Sequence, residues 1–207
     1  MRQSSRTLLT IVSFAVFLAL VPVTVARAAC STPGACALDF STNGSVTFGT
    51  GLPDLGLAAV TIETWFRRDG TGTALSTGTS GVTAVPLVTK GRNESDGSNV
   101  DMNYFLGINT TGNVLAADFE QFGVCTGGSN PGALCSVASQ CPGGSCTNPG
   151  LNHPVSGTTA IATGTWYHAA ATYDGTTWRL YLNGMLETQL SVGQPLRSDS
   201  IQHAGLA

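Results

Sequence analysis

The sequence predicts an all-β fold, a two-sheet antiparallel sandwich, and three observations carry that prediction. After the first 29 residues no stretch sustains a helical period. Short β-prone segments recur instead, each ended by Gly, Asn-Gly or Asp-Gly. The composition agrees: with 26 glycines in 207 residues and only 10% charged side chains, the surface must be covered by Thr, Ser, Asn and Gly. A disordered chain would carry more charge and fewer β-branched residues.

The elements follow in order along the chain. Residues 1–29 read as a leader. Arg2 and Arg6 are its basic start, residues 8–25 its apolar run, and Ala26-Arg27-Ala28 its A-x-A cleavage site. The run nearly reaches spanning length, so an uncleaved anchor is the alternative. Cleavage removes Arg2, Arg6 and Arg27, which leaves 6 basic residues against 12 acidic ones. Nucleic acid and anionic membrane would repel so acidic a chain, and both are excluded as partners.

In the remaining chain, Ala37-Leu38-Asp39-Phe40 and Ser45-Val46-Thr47-Phe48 flank the turn Thr42-Asn43-Gly44. Residues 60–67 form a strong strand stopped by Asp69-Gly70, and residues 85–90 another closed by Gly91. Residues 104–109 and 113–119 make a hairpin across Thr111-Gly112. Residues 165–173 and 177–182 pair across Asp174-Gly175, and Asn183-Gly184 follows. Both dipeptides suit tight hairpins because their residues tolerate positive φ. In the second of these strands Trp178, Leu180 and Leu182 share a face and belong to the core, opposite Arg179 and Tyr181. Residues 70–81 read as a Gly/Thr/Ser loop with nothing to pack.

Six cysteines follow the leader: Cys30, Cys36, Cys125, Cys135, Cys141 and Cys146. An even number in an exported chain predicts disulfides, though six cysteines leave the connectivity open. Proximity favours Cys30 with Cys36 and the other four among themselves. Residues 124–149 are too rich in Gly, Ser and Pro to build a core, so crosslinks must order them. They read as a disulfide-stapled insertion at the sandwich rim.

The stretch Gly164-Thr165-Trp166-Tyr167-His168-Ala169-Ala170-Ala171-Thr172-Tyr173-Asp174-Gly175, with Leu180-Tyr181-Leu182-Asn183-Gly184, resembles the laminin-G-like family of concanavalin A-like jellyroll domains. Val60-Thr61-Ile62-Glu63-Thr64-Trp65-Phe66 resembles the same family's early strand, and residues 37–48 its opening hairpin. Three motifs in order over residues 37–200 imply a jellyroll domain at residues 30–207. Members end on a strand that returns beside the first; residues 201–207 offer no such segment. The expectation is therefore a C-terminally truncated domain with a missing C-terminal strand, part of a larger secreted or surface protein.

Among candidate sites, the loop of residues 92–101 clusters oxygen donors at Asp96, Asn99 and Asp101, the chemistry of a rim Ca2+ site, and relatives of this shape often carry one. A plain polar turn is the competing reading. His153, His168 and His203 have no metal-pair spacing, and His168 reads as packed against its strand neighbours. No G-x-S-x-G elbow supplies a hydrolase nucleophile. Jellyroll glycosidases place acids at alternate positions of one strand. The nearest match, Asp118-Phe119-Glu120, lacks a third acid and reads as a solvated edge. Trp65, Trp166 and Trp178 sit in strand motifs and are assigned to the core, while Tyr104, Phe122 and Tyr181 are less constrained. Asn43, Asn93 and Asn109 begin N-x-S/T sequons.

The expected function is extracellular recognition or adhesion, binding glycan or an extracellular protein, with no catalytic residue assigned. A ligand-free structural spacer is the alternative, and a jellyroll glycoside hydrolase stands third because its acids are missing.

Overall fold

The computed structural model describes residues 37–41, 44–49, 55–91 and 100–207. The leader, Cys30, Cys36, the Thr42-Asn43 turn, Asn93, Asp96 and Asn99 lie outside the described residues. The chain forms β1 (Val46–Thr47), β2 (Val60–Arg67), β3 (Leu75–Ser76), β4 (Thr83–Lys90), β5 (Tyr104–Asn109), β6 (Val114–Phe119) and β7 (Gly123–Gly127). There follow β8 (Leu134–Cys135), β9 (Gly144–Thr147), β10 (Val155–Ala160), β11 (Trp166–Tyr173), β12 (Thr177–Leu182), β13 (Met185–Ser191) and β14 (Ala204–Leu206). All pairings between them are antiparallel.

The strands make a sandwich of two sheets and a small third sheet. The larger sheet runs β1-β14-β4-β5-β6-β10, with β3 sharing the β4 edge that β14 also uses. The smaller sheet runs β13-β12-β11-β2, and β8-β7-β9 form the third. Alternation explains the layers. In β2, Val60, Ile62 and Phe66 turn inward; in β12, Trp178, Leu180 and Leu182 do so. They meet Tyr104, Leu106 and Ile108 of β5 and Leu115, Ala117 and Phe119 of β6 in one core. At its centre the Phe119 ring lies 4.6 Å from Tyr173 and 5.4 Å, edge on, from Trp178. Such pairs add about 0.5–1.5 kcal/mol each beyond the area they bury.

β5 is buried on both faces, because the larger sheet is covered outside as well as inside. Phe105 lies over Gly107 on that outer side, where a Cβ would come within 2.6 Å of the ring. With Val82, Ala84, Met102 and Ala116 it forms a second apolar cluster. Part of the cover comes from the segment read from sequence as a loop with nothing to pack. That reading needs correction: Leu75 and Ser76 pair with β4, and Thr77 is buried. The close approach needs Gly81, since a Cβ there would meet Thr77 Oγ1 at 2.2 Å.

The turns follow the dipeptides. Asn183 and Gly184, with φ of 50° and 78°, close the β12–β13 hairpin in the left-handed geometry that two-residue loops require. Asp174 closes the β11–β12 turn by accepting from the backbone N–H of Thr176 and Thr177, and from Arg179 Nη1 at 2.6 Å.

Two long basic side chains hold the final segment. Lys90 Nζ, deep in the molecule, donates to the carbonyls of Ser200 and Gln202 at 2.7 and 2.6 Å. The fully buried Arg197 donates to Asp101 at 2.7 Å and to Asp199 at 3.1 Å, with Glu120 at 3.8 Å. Buried charges persist only when paired in this way. Beyond them Ala204–Leu206 does return, as a three-residue strand between β1 and β4. The tail Ile201-Gln202-His203-Ala204-Gly205-Leu206-Ala207 has neither alternation nor a β-branched run to signal a strand, so the pairing comes from the neighbours on either side.

Residues 124–149 fall on the third sheet. Cys125 bonds Cys141 and Cys135 bonds Cys146, so these four cysteines pair among themselves. The half-cystines themselves are the interior of this unit, with Ala133 packed against them.

Candidate binding face

The outer face of the smaller sheet collects the side chains that alternation turns away from the core. On β2 these are Thr61, Glu63, Trp65 and Arg67; on β11 they are Trp166, His168, Ala170 and Thr172; on β12, Arg179 and Tyr181. The register sets Trp65 opposite His168, Trp166 opposite Arg67, and Ala170 between Glu63 and Tyr181. Trp65 and Trp166 are thus diagonal neighbours, about 7–8 Å apart along the backbone of adjacent strands.

The assignment of all three tryptophans to the core therefore holds only for Trp178, which is fully buried. Trp65 is 67% exposed and Trp166 47% exposed. The reason is parity: Trp65 shares its face with Glu63 and Arg67, and Trp166 shares its face with His168. Period two then puts both outside.

Each indole is steadied by a polar neighbour. The His168 ring centroid lies 5.2 Å from that of Trp65, and His168 Nε2 lies 3.5 Å from Glu63 Oε2. His168 is thus a half-buried member of the face. Its backbone is held by Asn183, whose Oδ1 accepts from the His168 N–H at 2.9 Å. The Arg67 guanidinium sits 5.6 Å from the centre of the Trp166 ring, within cation–π range, and is held in turn by Asp69 at 2.8 Å. Beside this pair Ala170 is a low point in the sheet, bordered by Glu63, His168 and Tyr181. The arrangement is a shallow amphipathic platform: two flat apolar rings, with a carboxylate, an imidazole, a guanidinium and a phenol around them. It suits a ligand with one apolar face and hydroxyls at its rim.

The other sequence candidates go elsewhere. Asp118 and Glu120 are not a solvated edge; both are fully buried, Asp118 under the Thr77–Gly81 turn and Glu120 beside Arg197. Asp118 Oδ2 accepts from the Thr77 hydroxyl at 2.6 Å and Oδ1 from the His153 backbone N–H at 2.9 Å, so its oxygens knit the fold. Of the three residues proposed for Ca2+, only Asp101 is among the described residues. Its carboxylate is wholly buried and already neutralised by Arg197 at 2.7 Å. Of the sequons, Asn109 spends its side chain locally, donating to Ser156 Oγ and accepting from the Thr111 N–H.

Comparison with known proteins gives a family. A solved structure that resembles the chain is the CBM40 of Ruminococcus gnavus IT-sialidase bound to α2,3-sialyllactose. It is 12% identical, with a TM-score of 0.45, over 78% of this chain and 73% of that one. No curated protein matches. The model of the concanavalin A-like lectin/glucanases superfamily matches residues 40–203, which takes in every strand of both large sheets but the last. With its two-sheet antiparallel jellyroll and its outward indole pair in place, the chain belongs to the concanavalin A-like lectin/glucanase superfamily.

Proposed function

We propose that the chain is an extracellular recognition module that binds glycan on the outer face of its smaller sheet. The observation that carries this reading is the diagonal pair of solvent-facing indoles, Trp65 and Trp166, on two rigid neighbouring strands. A pyranose ring presents a patch of C–H bonds that packs on such a ring face, while its hydroxyls reach Glu63, His168, Arg67 and Tyr181. Large apolar side chains left on a monomer surface mark interaction sites more often than chance does. Membership of a superfamily of lectins and glucanases supports the same class of ligand.

Binding without catalysis is the favoured form of the reading. The nearest alternating acid pair, Asp118 and Glu120, is fully buried and out of reach of a substrate. Export belongs to the same proposal. The A-x-A site at residues 26–28 supports it, as do the two disulfides, which persist in oxidising compartments. In that setting the module would direct a larger secreted or surface polypeptide to its target.

Electrophoresis through native gels cast with soluble polysaccharides tests the reading. Retardation by at least one polysaccharide is expected, and loss of that retardation in Trp65→Ala/Trp166→Ala. Equal mobility in every gel would leave the spacer role standing in its place.

A further inference from the structure

A concave site, separate from the indole face, lies where the disulfide-stapled sheet meets the sandwich. It is a cleft of about 370 Å³, at the small end of the ~300–1,000 Å³ that ligand sites occupy. Thr147 and Asn148 come from the stapled unit; Gln121, Leu151, His153 and Gln194 come from the sandwich side.

The floor is built rather than incidental. Gln121 is 5% exposed and bridges the two walls: its Nε2 donates to the Asn148 carbonyl at 3.2 Å, and its Oε1 faces His153 Nε2 at 2.8 Å. The Asn148 carbonyl fixes which end of that amide is the donor, so Oε1 accepts and His153 carries its proton on Nε2. The imidazole is also packed against Phe119, centroids 4.9 Å apart. Its Nδ1 keeps a lone pair with no partner among the described residues. Burial holds the His153 pKa below its usual value, which keeps the ring neutral.

Around this floor stand groups that the fold does not use. The side-chain amides of Asn148 and Gln194, one on each wall, have no partner among the described residues. Gln194 is engaged only through its carbonyl, which accepts from the Tyr173 hydroxyl at 2.5 Å. Thr147 Oγ1 pairs with Thr126 Oγ1 at 3.0 Å and retains acceptor capacity. Leu151, 44% exposed, supplies an apolar surface between them. Among the described residues no Asp, Glu, Lys or Arg lines the cleft. A charged ligand would find no counter-ion there. A neutral ring with hydroxyls on its edge and C–H groups on one face would find amide, hydroxyl and imidazole partners above an apolar patch.

We infer that the cleft between the stapled unit and the sandwich is a separate binding site for one neutral sugar unit, recognised by Asn148, Gln194, Thr147 and His153. It is independent of the indole face, so a module with both would engage a branched or extended glycan at two points.

The test is amide NMR of the 15N-labelled protein titrated separately with maltose, cellobiose and lactose. The side-chain NH2 signals of Gln121, Asn148 and Gln194 should move and saturate in the millimolar range with at least one sugar. Asn148→Gly keeps the backbone at ease, because Asn148 already has φ of 54°, and Gln194→Ala alters an exposed side chain. Together they should weaken binding about tenfold or more while the rest of the spectrum stays in place. Trp65→Ala should leave the shifts of these three side-chain amides unchanged. Stationary amide signals with all three sugars overturn the inference, and so does full binding by the double variant. Loss of these shifts in Trp65→Ala would assign them to the sheet face instead, whereas movement of the Trp65 indole signal alone would uphold that face and reject the cleft.

Discussion

At the scale of residues, the three tryptophans separate structure from recognition. Trp178 fills the core against Phe119 and Tyr173, and its replacement by Ala should cost about 3–5 kcal/mol of stability. Trp65→Ala and Trp166→Ala remove rings that face solvent and should each change stability by no more than about 0.5 kcal/mol. Urea denaturation of the three variants checks the contrast; a core-sized loss at Trp65 would mean that its ring is covered. This division was legible in the sequence through strand parity, since Trp65 alternates with Glu63 and Arg67. The family-like motif drew all three indoles into one class and obscured it. Asp118 was not legible in that way. Its acidic character pointed to solvent, and only the turn folded over it, 41 residues away at Thr77, makes it interior. Asp118→Ala should cost about 1–3 kcal/mol by stranding the Thr77 hydroxyl and the His153 N–H.

At the scale of elements, the stapled sheet and the β10–β13 contact show two ways of ordering strands that lack a core. In the first, disulfides spanning 16 and 11 residues confine a segment whose interior is sulfur. Reduction should release residues 123–147 while the sandwich survives. Hydrogen exchange under reducing agent would then rise in β7, β8 and β9 and stay low in β5 and β12. Concerted exchange of the whole chain would contradict this. In the second, Glu187 of β13 accepts from the N–H groups of Thr158 and Thr159 at 2.7 and 2.9 Å, joining the two large sheets at their edges. Burial pushes the Glu187 pKa up, but the hydrogen bonds from Thr159 and Thr158 outweigh it and hold the carboxyl below its usual 4.5. Because the folded pKa is depressed, the contribution is present above pH 4.5 and is lost as pH falls through the folded value. Glu187→Gln should therefore flatten the acid limb of the stability profile, and an unchanged limb would place that acid sensitivity elsewhere. Neither β10 nor β13 stood out in the sequence, because Val155-Ser156-Gly157-Thr158-Thr159 and Met185-Leu186-Glu187-Thr188-Gln189 lack clean alternation. Their pairing depends on partners far along the chain. The hairpins at Asn183-Gly184 and Thr111-Gly112, whose signals are local, could be read directly.

At the scale of the whole molecule, the fold places a flat aromatic face and a neutral cleft on a scaffold held by long-range pairs. Arg197, Lys90 and their partners bring the last residues back across the larger sheet, joining positions about a hundred residues apart. Such buried ionic contacts leave no mark in local sequence, which is why the interior roles of Asp101 and Glu120 were not readable there. The all-β class, the sandwich and its main hairpins were readable, because alternation and turn chemistry act over short spans. The central claim is glycan recognition by Trp65 and Trp166, and a glycan array with the wild-type protein beside Trp65→Ala/Trp166→Ala tests it most directly. The account predicts a coherent set of bound glycans for the wild type and its disappearance in the double variant, with thermal unfolding unchanged. Binding that survives the loss of both indoles, or no glycan bound by a folded wild type, would contradict it.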